Sequence, residues 1–309
     1  MDRKRTAIGV LLGLSLSLMA CQSDTPLDTS EAGPDILKWA QPGTDWVGLL
    51  STELSECLIP TDDKKQKADI ALGRMAFRSP FLLGGQAARR GLTCQACHMN
   101  GQTSPDFFVV GISDTPGTAD VTSFHFSDVL GDEVFNPVPI PNLSDDLRGV
   151  DHDPNRDDLE IFVHRLITKE FTGPEPTEDV KSALLTYIRS LDQEQCAENT
   201  LSERALMTHH QSIIQESFAA LGQNGFKPKA QDFLIKSLRI ELGRFYARFP
   251  YSQELRESIV AISQQLRSGE VKLAHAAWDE LADNIDAAYS KSLYSTDKIY
   301  DWLDYRLGR

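Results

Sequence analysis

The most legible chemistry in this chain lies in five consecutive residues, Cys94-Gln95-Ala96-Cys97-His98. On a helical turn, residues three and four apart are surface neighbours, so Cys94, Cys97 and His98 share one face. Two thiols on that face can reach both vinyl groups of one haem and form thioether bonds. His98 can then place an imidazole nitrogen on the iron. The C-x-x-C-H spacing is that of c-type haem attachment. A structural zinc site needs a second ligand pair at similar spacing, and this chain has none. A thioredoxin-like site needs a βαβ setting, and the flanking sequence shows no such pattern.

Haem attachment of this kind takes place outside the bacterial cytoplasm, and the N-terminus agrees with export. Asp2-Arg3-Lys4-Arg5 gives a basic start, and Ile8 to Leu18 is an apolar run too short to span a membrane as a mature helix. Leu18-Met19-Ala20-Cys21 resembles a bacterial lipobox, in which the cysteine is lipidated and becomes the new N-terminus. Gln22 follows it rather than Asp, which in a Gram-negative cell implies the periplasmic side of the outer membrane. Acyl chains provide an anchor and not a span. An ordinary signal peptide with a neighbouring cysteine is the plainer alternative. Cleavage removes three cations and one anion, so the net charge moves from −14 to near −16. That balance argues against a nucleic-acid surface and favours a basic protein partner or a small neutral one.

With Cys21 lipidated and two thiols on haem, Cys57 and Cys196 remain of the five cysteines. In an oxidising compartment they are expected to pair. The bridge would staple the haem-bearing region at both ends and stabilise it by up to about 5 kcal/mol on the chain-entropy model.

The hydrophobic content, 41%, is enough for a core, and 309 residues allow one large or two ordinary domains. We read residues 1–20 as signal peptide and 21–59 as a tether and N-terminal segment. The tether is polar over 22–35, with a short amphipathic piece near Trp39, Trp46 and Leu49-Leu50. Residues 60–197 form a cytochrome c domain and 198–309 a helical domain. The expected fold class is mainly α, a c-type cytochrome domain with long distal loops plus a C-terminal helical bundle. Helices are predicted from Asp62 or Asp63 to Ser79, over 86–98, 157–170 and 177–192, then over 201–221, 229–247, 252–268, 270–290 and 296–306, from apolar spacing and the Gly and Pro breaks.

The stretch LGRMAFRSPFLLGGQAARRGLTCQACHMNG, followed by the segment 116–150 and the helical pattern 158–192, resembles the bacterial dihaem cytochrome c peroxidase and MauG superfamily. The resemblance covers about residues 60–197. It implies a c-type haem fold with a proline-rich segment over the haem edge. Members carry two C-x-x-C-H motifs and this chain has one, so the dihaem peroxide chemistry does not transfer.

Residues 100–156 lack helical periodicity and carry six prolines. A loop this long in a compact domain is usually functional, and it is expected to wrap the distal haem face. Thirteen Asp and Glu against two Arg over 101–160 read either as solvated loop charge or as an acidic rim that steers a basic redox partner. Asp151 to Asn155 offers oxygen ligands for Ca²⁺ without EF-hand spacing.

The sixth iron ligand decides the chemistry. Methionine suits electron transfer, but only Met75, Met99 and Met207 remain after cleavage, and none is well placed. His152 lies near the family's distal-loop position and ranks first, with His125 second; His164 lies on the following helix. In the helical half, His209-His210 occupy different helix faces and are expected to be solvated. Two functions compete: a membrane-anchored monohaem electron carrier, and a peroxidase-like enzyme that binds peroxide at an open iron. A small-ligand sensor whose helical half reports iron state is a third.

Overall fold

The computed structural model describes residues 40–307 other than 42, 125, 127–130, 145–158 and 224. The expected signal peptide, Cys21, the leash, His125, His152 and the Asp151–Asn155 cluster lie outside the described residues. Within them the fold is mainly helical, with two small antiparallel ribbons.

The chain enters through α1 (Trp46–Ser51), capped by Asp45, whose carboxylate accepts from Val47 and Gly48 N–H. It runs into β1 (Thr52–Leu54) and then α2 (Lys64–Phe77). Asp63 caps α2 by accepting from Gln66 N–H at 2.8 Å, as Asp does at N-caps. From Ile70 to Phe77 every side chain of α2 is buried, Arg74 included. The helix is therefore central and not a surface element with one apolar stripe. Pro80 stops it and opens α3 (Pro80–Leu83), and α4 (Gly85–Arg89) follows.

The predicted single helix over 86–98 is in fact two. Gly91 takes φ +75, Leu92 N–H reaches back to Ala87 O at 2.9 Å and Gly91 N–H to Ala88 O at 3.0 Å. This is a Schellman end with glycine in the left-handed position. After it, α5 (Cys94–Cys97) starts as an independent turn.

Beyond α5, β2 (Thr118–Ala119) pairs with β3 (Val138–Pro139). Then come α6 (Leu159–Arg165), extended by a wide π-type turn over Leu166–Glu170, and α7 (Glu178–Ser190), capped by Thr177. β4 (Thr200–Ser202) pairs antiparallel with β1, Glu53 opposite Leu201. Cys57 and Cys196 meet at disulfide distance beside this ribbon, Cα to Cα 5.0 Å across 139 residues of chain.

The C-terminal helices are α8 (Glu203–Gly222), α9 (Pro228–Ala247), α10 (Gln253–Arg267), α11 (Val271–Ile285) and α12 (Thr296–Leu307). Leu234, Leu238, Leu242 and Phe245 give α9 a buried stripe, Phe249 follows just beyond its end, and fully buried Trp278 meets Phe218 and Phe245. One apolar core runs without a break from α2 and α7 into α8, α9 and α11. A smaller cluster of Leu50, Leu293, Ile299 and Trp302 fixes α12 on α1.

The close approach of α2 and α7 depends on Gly73. A Cβ there would lie 2.1 Å from Ala183 O and 2.7 Å from Tyr187 Cβ. Gly73→Ala is expected to destabilise the protein by about 3 kcal/mol through overpacking. Gly243 lies inside α9, and a Cβ added there would meet nothing within 4 Å. It gives the opposite sign: Gly243→Ala is expected to gain about 0.5–1 kcal/mol from helix propensity. Urea unfolding of the two variants against the parent checks both.

Candidate functional site

α5 is shaped by its neighbours more than by its own length. Thr93 enters it extended, and His98 N–H closes the turn on Cys94 O at 2.8 Å. Asn100 then takes φ +53, the left-handed region that Asn tolerates better than most side chains. Asn100 is completely buried, and its side chain is bonded at both ends. Its Nδ2 donates to Leu54 O at 2.7 Å, and its Oδ1 accepts from Gln95 Nε2 at 3.0 Å and Arg78 Nη1 at 3.3 Å. Asn100 N–H donates to Gln95 Oε1 at 3.0 Å. Gln95, inside the C-x-x-C-H motif, is thereby latched through both ends of its amide.

His98 Nδ1 lies 3.0 Å from Pro141 O. A carbonyl only accepts, so Nδ1 carries the proton and Nε2 keeps its lone pair. Burial, only partly opposed by the Pro141 carbonyl, holds the imidazole down to about 4, so it is neutral at pH 7. Phe77 stands 6.5 Å from the His98 ring and packs edge-on against Tyr187 at 5.3 Å. Cys94 and Cys97 are unbridged and half-buried. Burial pushes the Cys94 thiol up to about 12 and raises Cys97 as well. Neither is the acidic thiolate that a C-x-x-C oxidoreductase needs. The donor set on offer is two neutral thiols and one imidazole lone pair. Among the described residues no group of three or more His, Cys, Asp or Glu is arranged to hold a metal ion.

The methionines are committed elsewhere. Met99 Sδ accepts from Leu54 N–H at 3.4 Å, and Met75 and Met207 are buried in the core. His164 pairs with Glu175 at 2.9 Å.

A layer of buried charge, not anticipated from sequence, joins α5 to the C-terminal helices. Arg78 pairs with Glu241 at 2.7 Å, Arg74 with Glu56 at 2.7 Å and, at the exposed edge of the layer, with Glu216 at 2.6 Å, and Arg248 with Glu53 at 3.2 Å. Burial alone would raise the Glu53, Glu56 and Glu241 carboxyls. Their partners (His210 and Arg248, Arg74, and Arg78) overcome it and hold all three below the usual carboxylate range. The sequence signal was two arginines four apart in an otherwise apolar helical run.

His209 and His210 are not solvated as expected: α8 packs against α2, α9 and α11, its exposed stripe runs through Ala205, Thr208, Glu216 and Ala219, and both histidines fall off that stripe. His210 is buried between Tyr294 Oη at 2.7 Å and Glu53 at 3.2 Å. His209 Nε2 is buried with no hydrogen-bond partner among the described residues.

No described helix is long and apolar enough to cross a membrane. Comparison with family models, with characterised proteins and with solved structures finds no match to this chain.

Burial holds His209 down to about 4 from 6.5, with Glu56 opposing and His210, Arg74 and Arg78 reinforcing. Between those values the unfolded chain binds more protons, so stability rises with pH through the window and is lost as pH falls through it. His209→Gln is expected to make the fall in Tm between pH 6.5 and 4 shallower; an unchanged slope by thermal unfolding contradicts the assignment.

Proposed function

We propose that this chain is a monohaem c-type cytochrome, lipid-anchored through Cys21 on the periplasmic side of the bacterial outer membrane, that exchanges electrons with a protein partner. Cys94 and Cys97 hold one haem c through thioether bonds, and His98 is the proximal iron ligand. The observation that carries this reading is the Nδ1–H bond from His98 to Pro141 O at 3.0 Å. A second bond of this kind orients a ligating imidazole, fixes its tautomer and raises its basicity. The two thiols beside it stay out of the pairing that joins Cys57 and Cys196. Two thiols and one free imidazole nitrogen on a shared turn fit a covalently attached haem, and they are too few for a zinc site.

When bound, the haem supplies a one-electron couple. The protein orients His98 through Pro141, keeps the imidazole neutral through burial, and holds the turn in place through Gln95 and Asn100. The loop between α5 and α6 exposes Val110, Phe124, Val134, Phe135 and Val138 among Asp114, Asp132 and Glu133. Apolar residues within an acidic surround suit transient docking of a basic redox protein.

The engagement of Met99 and the burial of Met75 and Met207 favour one second reading. In it the far side of the iron is open, and the protein is a peroxidase-like relative of the cytochrome c peroxidase and MauG superfamily with a single haem. The visible and near-infrared spectrum of the purified protein separates the two. Electron transfer predicts low-spin haem inert to cyanide. The peroxidase-like reading predicts high-spin haem that reacts quickly with peroxide. Absence of haem absorption contradicts both.

A further inference from the structure

A cavity of about 120 Å³ lies behind α5. Its walls include Thr93, Gln95, Ala96 and Met99 from the turn, and Glu241, Arg244 and Phe245 from α9 with its C-cap Arg248, still in αR conformation. On a helical turn Gln95 and Ala96 face away from Cys94 and Cys97, and neither those cysteines nor His98 lines the cavity. It is therefore a separate place from the thiol face. The α9 residues recur at the three- and four-residue spacing of one helix stripe, so the helix presents all four to the same space.

The cations in the wall are unequally matched. Arg78 has Glu241 at 2.7 Å and Arg248 has Glu53 at 3.2 Å. Arg244 reaches only the other oxygen of Glu241, through Nη1 at 2.8 Å. Its remaining guanidinium donors have no partner among the described residues, and a guanidinium is built to take a carboxylate in two bonds.

Two hydroxyls join it. Thr93 and Ser104 line the cavity, are 3% and 4% exposed, and hydrogen-bond through their side chains to nothing among the described residues. Thr93 occupies an N-cap position yet makes no capping bond, which leaves its hydroxyl available. Asp106, half-buried in the same wall, would repel a second negative charge, so the complement is singly charged. Leu49, Ala96, Ile214 and Phe245 complete the wall with apolar surface. The volume equals that of roughly four waters at about 30 Å³ each, enough for a carboxylate with a short alkyl end.

We infer that this cavity binds a small monocarboxylate, received by Arg244 with the Thr93 and Ser104 hydroxyls, its alkyl end against the apolar wall. The site needs no haem, so it stands apart from the proposed function.

Calorimetric titration of the purified full-length protein with propionate, and with neutral, near-isosteric propionamide, tests it. One saturable site for propionate and none for propionamide is expected. Arg244→Ala should weaken propionate about tenfold or more, the scale of a charged hydrogen bond, while Arg244→Lys retains part of the affinity. Thr93→Val, a near-isosteric change, should weaken it several-fold and guards against an Arg244 variant that fails to fold. No saturation, equal binding of the two probes, or undiminished binding in both Arg244→Ala and Thr93→Val overturns the site; a water-filled cavity gives the first result. A colourless protein that binds propionate keeps the site and loses the haem reading. A coloured protein that does not bind propionate does the reverse.

Discussion

Arg74, on α2, and Arg78, its C-cap, stand one turn apart in the centre of a helical core where little water reaches. A guanidinium there costs several kcal/mol unless a carboxylate meets it with good geometry. That demand fixes Glu56 on the segment after β1, Glu216 on α8 and Glu241 on α9 relative to α2. Arg78 spends a further donor on Asn100, and Asn100 holds Gln95. The position of a four-residue turn is thus set by a chain of polar contacts that ends at Glu241 on α9, more than 140 residues later in the sequence.

A turn of four residues has almost no stability of its own, because helix nucleation is unfavourable. α5 persists because its polar groups are satisfied from outside. Asn100 closes it from below, Pro141 O accepts a hydrogen bond from His98 Nδ1–H, and Phe77 packs near the imidazole ring. The same contacts leave Nε2 of His98 and the two thiols without partners among the described residues. Rigidity around unspent donor groups is the condition for holding a cofactor in one geometry. The continuous core between α2, α8 and α9 makes the C-terminal helices part of this support.

Much of the framework was legible in sequence where local periodicity dominates. The five C-terminal helices start and end within two residues of their predicted limits, apart from α11, which tightens into a 3₁₀ turn over Asp286–Lys291. Cys57 and Cys196 meet at disulfide distance, as cysteine arithmetic led one to expect. Long-range matching was not legible. Glu53 and Arg248 meet across 195 residues, and no local pattern announces such a pair. The covering of His209 and His210 was not legible because three separate helices, α2, α9 and α11, pack on α8 and leave exposed the stripe through Ala205, Thr208, Glu216 and Ala219. The break at Gly91 was missed because α4 and α5 share helix-forming residues, and only the backbone conformation of one glycine separates them.

The central claim is that Cys94 and Cys97 are bonded to a porphyrin whose iron His98 ligates. The intact mass of the protein purified from a host that assembles c-type cytochromes, taken after extraction with acidified acetone, tests it most directly. The account predicts a mass greater than that of the lipidated polypeptide by one haem, retained through extraction and lost in a variant with both Cys94→Ala and Cys97→Ala. A mass equal to that of the polypeptide alone, or haem that leaves with the acetone, contradicts it.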